Sequence, residues 1–195
     1  MSARDEILKS LRAAAPAAVP LPDTGRLEAV RYPDLRDRFA KSVVEVGGRC
    51  VAVEGALEDA LGAIPEYAAA RKVVSMVPGV AKANVKLEAV ADPHDLDDVD
   101  FCVLPAELGV AENGACWIVR HGGALRAAAY LTQHLAVVLR ADALVHNLHE
   151  AYARISIPVP GFGMWLSGPS KTADIEQALV IGAHGARSCT VLLVP

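Results

Sequence analysis

Short apolar runs alternating with helical segments constrain this chain more than any other feature. Phe101-Cys-Val-Leu104, Leu135-Ala-Val-Val-Leu139 and Val191-Leu-Leu-Val194 hold no polar residue. Each therefore suits a strand buried on both faces rather than one wetted on one side. Strands are expected at Arg49–Glu54, Lys72–Val77, Val85–Val90, Val99–Leu104, Ala115–Arg120, His134–Arg140, Phe162–Ser167 and Cys189–Val194. Between them, Leu35, Phe39, Val43 and Val46 share one helical face that ends at Gly47-Gly48. Further helices are expected over Ala56–Ala70 with a break at Pro65, from Asp142 to about Ile155, and from Ala173 to about Ala183. This pattern predicts the α/β class, with a sheet covered on both faces. The strands crowded between residues 85 and 140 predict a mixed sheet or an inserted hairpin.

Ahead of this core, Ser2 to about Ala15 reads as a short helix capped by Ser2, with Ile7, Leu8 and Leu11 on one face. Pro16-Ala-Ala-Val-Pro-Leu-Pro22 is too rich in proline for a helix or a central strand. The expected organisation is a helix and proline-rich arm over residues 1–22, and one domain over 23–195. Such an arm packs on a partner or a second copy, or stays frayed.

The chain has 195 residues, enough to bury a core without disulfides. Its 35 alanines favour helices over an aromatic-rich sandwich. A net charge of −4 gives no broad basic footprint for duplex nucleic acid. No apolar run approaches the ~20 residues that cross a bilayer, and the polar start does not resemble a signal peptide, so a cytoplasmic protein is expected. Cys50, Cys102, Cys116 and Cys189 are scattered without a CxxC pair. They read as buried thiols, and no iron–sulfur cluster or other cofactor is expected in this chain.

Candidate chemistry clusters in a few segments. Gly168-Pro-Ser-Lys-Thr172 follows a predicted strand and precedes a predicted helix. Backbone N–H groups, the hydroxyls of Ser170 and Thr172 and the charge of Lys171 could hold a carboxylate or phosphate there. The spacing is not a Walker A loop, and Asp174 and Glu176 would oppose an anion. A tight turn with Thr172 as helix cap is the alternative. His184, between Gly182 and Gly185, reads as a helix C-cap or a proton carrier. Val110-Ala-Glu-Asn-Gly114 carries an Asn-Gly hairpin signal, with Glu112 as a candidate base or nucleophile. On a helix, His146, His149 and Glu150 would share one side. Their order matches no zinc protease motif, so no metal is expected and hydrogen bonding to a loop or ligand is the preferred role. His134 opens a strand and could face the same pocket. The acidic run Asp92–Asp100 lacks the glycine and terminal glutamate of a calcium loop and reads as a solvated face.

Gly168-Pro-Ser-Lys-Thr-Ala-Asp-Ile-Glu-Gln-Ala-Leu-Val-Ile-Gly-Ala-His-Gly185 resembles the signature of the LUD domain family, which includes the LutC/YkgG lactate-utilisation proteins. Val110-Ala-Glu-Asn-Gly114 is similar to the family's central motif, although Ala115 stands where many relatives carry threonine. Ser2-Ala-Arg-Asp-Glu-Ile-Leu8 is similar to its N-terminal helix. The resemblance implies a three-layer α/β/α fold with a mostly parallel mixed sheet, like ribose-5-phosphate isomerase, glucosamine-6-phosphate deaminase and the CoA transferases (the NagB/RpiA/CoA transferase-like fold). It also implies a cytoplasmic system oxidising L-lactate to pyruvate, with iron–sulfur clusters carried by LutA-like and LutB-like partners. The expected ligand is a small carboxylate or phosphate. Glu112 would be the base and His184 a second catalytic group. Asn113, Gly114, Gly168, Ser170, Lys171 and Thr172 would line the ligand site, with His134, His146 and His149 as further candidates. A stand-alone sugar-phosphate isomerase or CoA-transferase-like enzyme is one alternative. A non-catalytic structural or regulatory subunit is another, and under any of these readings the chain could assemble as a homo-oligomer.

Overall fold

The computed structural model describes residues 2–20, 22–23, 28–120, 123–156, 161–173 and 178–195. Local signals start each helix. Helix α1 (Ala3–Ala14) opens with a capping box in which the Ser2 hydroxyl and the Asp5 carboxylate satisfy each other's backbone N–H. Helix α2 (Leu35–Glu45) is capped by Asp34, whose carboxylate accepts from Asp37 N at 3.0 Å. It buries Phe39, Ser42 and Val43 and ends at Gly47, whose φ of 82° needs no Cβ. Strand β1 (Arg49–Ala52), helices α3 (Leu57–Gly62) and α4 (Pro65–Ala69), and strand β2 (Val73–Ser75) follow.

Strand β3 (Phe101–Ala106) leads into a hairpin of β4 (Leu108–Val110) and β5 (Ala115–Arg120). Helix α5 (Gly123–Leu131), strands β6 (His134–Arg140) and β7 (Leu144–Val145), and helix α6 (Leu148–Tyr152) come next. The remaining strands are β8 (Phe162–Leu166), β9 (Lys171–Thr172), β10 (Val180–Ile181) and β11 (Ser188–Val194).

Five strands form a wholly parallel central sheet in the order β1-β11-β6-β3-β2. Alternation along each strand splits its side chains between two cores. Cys102, Leu104, Leu135, Val137, Val191 and Leu193 meet α2, α5 and the hairpin on one face. Phe101, Val103, Ala136 and Leu192 meet α3 and α4 on the other. This double covering is why these strands read as uninterrupted apolar runs. The hairpin's antiparallel pairing sits apart, in a four-stranded sheet ordered β7-β4-β5-β8 in which β7 and β4 run parallel, and β9 and β10 form a separate antiparallel pair. The four-stranded sheet lies in the helical layer beside α2 and α5, so the α/β/α layers hold, with one outer layer part sheet.

Four local expectations change. Val85–Val90 is no strand: Asn84 and Val85 N–H groups donate to Val73 O at 3.0 and 3.2 Å, and Leu87–Ala89 forms a 3₁₀ turn. The segment thus covers the outer edge of β2. The helix expected over Asp142–Ile155 breaks into a 3₁₀ turn, β7 and α6. Leu144 and Val145 gain pairing with Gly109 and Val110, and Asn147 caps the shorter helix. In the stretch expected as helix Ala173–Ala183, residues 174–177 lie outside the described residues, so the placing of Asp174 and Glu176 does too. Val180 and Ile181 instead pair antiparallel with Thr172 and Lys171. Helix α5 was not expected, in a stretch read as strands with little helix between them.

Candidate functional site

Helix α2 organises the site. The Ala-Glu-Asn-Gly turn packs against its middle: Ser42 Oγ donates to Ala111 O at 2.7 Å within the buried interior. Gly114 has φ 67°, and a Cβ there would stand 2.8 Å from Val43 N. The Gly-Pro-Ser-Lys-Thr loop packs against the helix end. Gly168 has φ 72°, a Cβ on it would reach 2.6 Å from Val46 O, and Lys171 Nζ donates to that same carbonyl. A helix C-terminus carries partial negative charge, so it is a favourable seat for an ammonium. The two motifs touch through Ser167, whose Oγ donates to Asn113 O at 3.0 Å.

The loop of residues 182–187, between β10 and β11, crosses over the Gly-Pro-Ser-Lys-Thr loop. Ser170 N donates to Ala186 O at 2.8 Å, Gly182 N to Ser170 O at 2.9 Å, and Ser170 Oγ to His184 O at 3.3 Å. Between them, α5 and β8 lies a cleft of about 300 Å³. Ser167, Gly168, Pro169, Ser170, Lys171 and His184 supply its polar wall, and Ala129, Tyr130, Met164, Trp165 and Leu166 its apolar wall. This volume sits at the small end of ligand pockets and suits a compact anion.

The structure brings Gly168, Ser170, Lys171 and His184 to one cleft, with Thr172 next in chain on β9. Gly114 and Asn113 stand behind it: Asn113 Oδ1 accepts from Ala115 N at 3.1 Å, holding the turn. Glu112 points elsewhere. Its Oε2 accepts from Leu148 N at 3.1 Å, at the start of α6. Around it stand Arg38, which donates to Glu112 O at 3.5 Å, and Tyr32, whose ring lies 5.5 Å from the Arg38 guanidinium. His146 completes that group: its carbonyl accepts from Glu112 N at 3.1 Å and its Nδ1 from Tyr32 N at 3.0 Å. His146 is not on a helix with His149; it precedes the Asn147 cap, and His149 is exposed on α6.

His134 lies at the amino ends of the central strands, beside the opposite core, stacked on Phe101 with centroids 6.5 Å apart. Its Nδ1 contacts Ser188 Oγ at 2.9 Å. Burial lowers its pKa below the usual histidine value, the charges of Arg187 and Arg49 act the same way, and Glu66 opposes them. The unfolded chain therefore binds this proton more tightly than the folded one. The stability this group contributes is complete above the unfolded pKa of about 6.5 and falls away as the pH drops below it. Thermal melts of His134→Asn are expected to fall less steeply between about pH 7 and pH 5 than those of the unaltered protein. An identical slope for both would remove His134 from the acid response.

Sequence reasoning missed Tyr130, Met164 and Trp165 in the cleft, and Tyr32 and Arg38 beside Glu112. Tyr130 was hidden with α5, and Tyr32 sits in a segment without periodicity. The thiols behave as expected: burial pushes Cys50 up to about 11 and Cys189 up to about 12, and holds Cys116 high, so all three stay protonated. Among the described residues no group of three or more His, Cys, Asp or Glu side chains is placed to hold a metal ion. Nor is any described helix long and apolar enough to cross a membrane.

Comparison with known proteins gives these motifs a context. Lactate utilization protein C of Bacillus pumilus (strain SAFR-032) is 29% identical over 100 residues, covering 48% of this chain and 42% of that protein. Lactate utilization protein C of Shouchella clausii (strain KSM-K16) is 28% identical over 101 residues, covering 49% and 44%. The chain spans less than half the length of these curated relatives. A crystal structure of a DUF162 family protein from Deinococcus radiodurans shares the fold with a TM-score of 0.59 at 19% identity, over 83% of this chain and 96% of that one. The LUD domain model matches residues 81–194, which hold the hairpin, the cleft loops and three of the five central strands, β3, β6 and β11. The chain belongs to the LUD domain family.

Proposed function

We propose that this protein is a LutC-like subunit of a cytoplasmic system oxidising L-lactate to pyruvate, and that the cleft binds a small carboxylate. Family membership and the likeness to lactate utilization protein C support the system. The observation that carries the ligand is the cleft wall, where Lys171 and His184 share a compact space with Ser167 and Ser170. Lys171 spends one of its three N–H donors on Val46 O, which leaves two for a carboxylate. Tyr130, Met164 and Trp165 would cover the ligand's methyl group. In this reading electron transfer belongs to LutA-like and LutB-like partners carrying iron–sulfur clusters, and this chain contributes ligand handling.

Calorimetric titration with lactate, pyruvate and inorganic phosphate tests the reading. Binding is expected for lactate or pyruvate, and Lys171→Ala is expected to weaken it about ten- to a hundredfold, the worth of one charge-assisted hydrogen bond. Absence of binding with the chain alone and with its partner proteins would sink the ligand assignment. Undiminished binding by the variant would remove the loop from the site.

A second reading rests on Glu112, with Arg38, Tyr32 and His146 around it beyond the carboxyl ends of the parallel neighbours β4 and β7. That is where α/β folds place reactive groups. A stand-alone isomerase or transferase would turn over sugar phosphate or acyl-CoA, and Glu112→Gln would abolish that turnover.

A further inference from the structure

The segment that enters the domain ahead of α2 is tied to the start of α6 by three side-chain contacts. Asn147 Nδ2 donates to Val30 O at 2.9 Å, Arg31 meets the Glu150 carboxylate at 2.7 Å, and Tyr32 N donates to His146 Nδ1 at 3.0 Å. Val30 to Tyr32 thus form a strap across the residues that open α6.

The ties differ in what can undo them. Asn147 does not titrate, and its Oδ1 is held in turn by Glu150 N at 3.0 Å. The Arg31 side chain is 72% exposed, so water screens its ion pair. The Tyr32 tie is conditional. A backbone N–H can only donate, so His146 Nδ1 must offer a lone pair, which requires a neutral imidazole with its proton on Nε2. Protonation makes Nδ1 a donor as well, and two N–H groups then face each other at hydrogen-bond distance.

Charges from each neighbouring element act on that ring. Glu150 on α6, whose Oε2 accepts from His146 N at 3.1 Å, and Glu112 on the hairpin turn favour an imidazolium. Arg31 on the strap and Arg38 on α2, itself paired with Glu45, oppose it. An imidazolium would also draw on the Glu150 carboxylate that holds Arg31, so the ion pair loosens together with the Tyr32 bond.

Beneath the strap lies a group that gains from its release. Tyr32 stacks on His146 with ring centroids 6.4 Å apart, and the Arg38 guanidinium lies 5.5 Å from the Tyr32 centroid. Arg38 Nε is buried and finds no acceptor among the described residues, although its terminal nitrogens bind Glu45. A buried donor without a partner is unfavourable, and lifting Tyr32 would bring it water or an anionic oxygen.

We propose that Val30–Tyr32 is a pH-sensitive strap, closed over Arg38 beside Glu112 while His146 is neutral and released when His146 takes up a proton. It rests on the strap's own bonds, and so stands apart from turnover at Glu112 and from ligand binding in the cleft.

Amide hydrogen exchange read by nuclear magnetic resonance on the full chain, between about pH 8 and pH 5, tests this. Tyr32 protection, taken against the intrinsic rate at each pH, is expected to fall at least about tenfold, the worth of one hydrogen bond. The fall is expected to track protonation of His146, followed through its ring nitrogen shifts. Amides of β6 are expected to stay protected over the same range, which separates strap release from unfolding. His146→Asn keeps an acceptor that cannot take up a proton, so Tyr32 protection is expected to hold at every pH. His146→Phe keeps a ring without an acceptor, and Tyr32 is expected to exchange readily at every pH. Tyr32 protection that ignores the protonation of His146 in the unaltered protein would overturn the proposal, and that measurement needs no variant to fold. A fall as steep in His146→Asn as in the unaltered protein would overturn it too.

Discussion

Gly114→Ala is expected to lower the stability of the protein by about 2–5 kcal/mol. A left-handed backbone costs a residue with a Cβ about 1–2 kcal/mol. Forcing an atom into a filled space costs about 1–3 kcal/mol more. Both apply here: φ is 67°, and the new Cβ would stand 2.8 Å from Val43 N and 2.9 Å from Ser42 C, which are helix backbone atoms with no rotamer to yield. Gly79 separates the two effects. Its φ is 81° but nothing lies within 4 Å of a Cβ built on it. Gly79→Ala should thus carry the backbone cost alone, about 1–2 kcal/mol. Urea denaturation of both variants measures the difference. Equal losses would mean that the Ala-Glu-Asn-Gly turn is not seated against α2, and the link between the two motifs would fall with it.

Phe101→Ala is expected to cost about 3–5 kcal/mol, the range for removing a buried aromatic ring. Phe101 is fully buried on the α3/α4 face of the sheet, with its ring edge-on to Tyr67 at 5.3 Å and stacked near His134. Tyr67 is anchored in turn, with its hydroxyl donating to Glu58 at 2.8 Å, so it cannot collapse freely into the vacated space. Against a total stability of about 5–15 kcal/mol, such a loss is a large fraction. Calorimetry should show a fall in melting temperature larger than any surface substitution produces. A loss under about 2 kcal/mol would mean that this face repacks, as cores with adaptable neighbours do.

These two sites also show how much of the molecule was legible from residues alone. Phe101 was readable, because a four-residue run without a polar side chain has no exposed face to offer and must lie inside a covered sheet. The hairpin at Asn113-Gly114 was readable from its turn chemistry. The candidate site was legible only in part. The motif around Lys171 led to the cleft, and Gly168, Ser170 and His184 meet there. Glu112, expected in the same pocket, turns to the start of α6 instead. His146 and His149 were expected on one helical face, but pairing of Val145 with Val110 breaks that helix before it can form. Local periodicity does not register such a competitor, since a two-residue strand gains its hydrogen bonds from residues more than thirty positions away.

The sequence by itself determined the α/β class, the double covering of the central strands, the thiol chemistry and the family resemblance. Each follows from local information: runs of apolar side chains, scattered cysteines and contiguous motifs. Only the tertiary structure decided which motifs share a pocket, that the hairpin joins a sheet of its own, and that the segment from Asn84 covers the outer edge of β2. Those outcomes depend on contacts between distant segments. Val46 O meets Lys171 across 125 positions of chain, and neither residue signals the other in sequence.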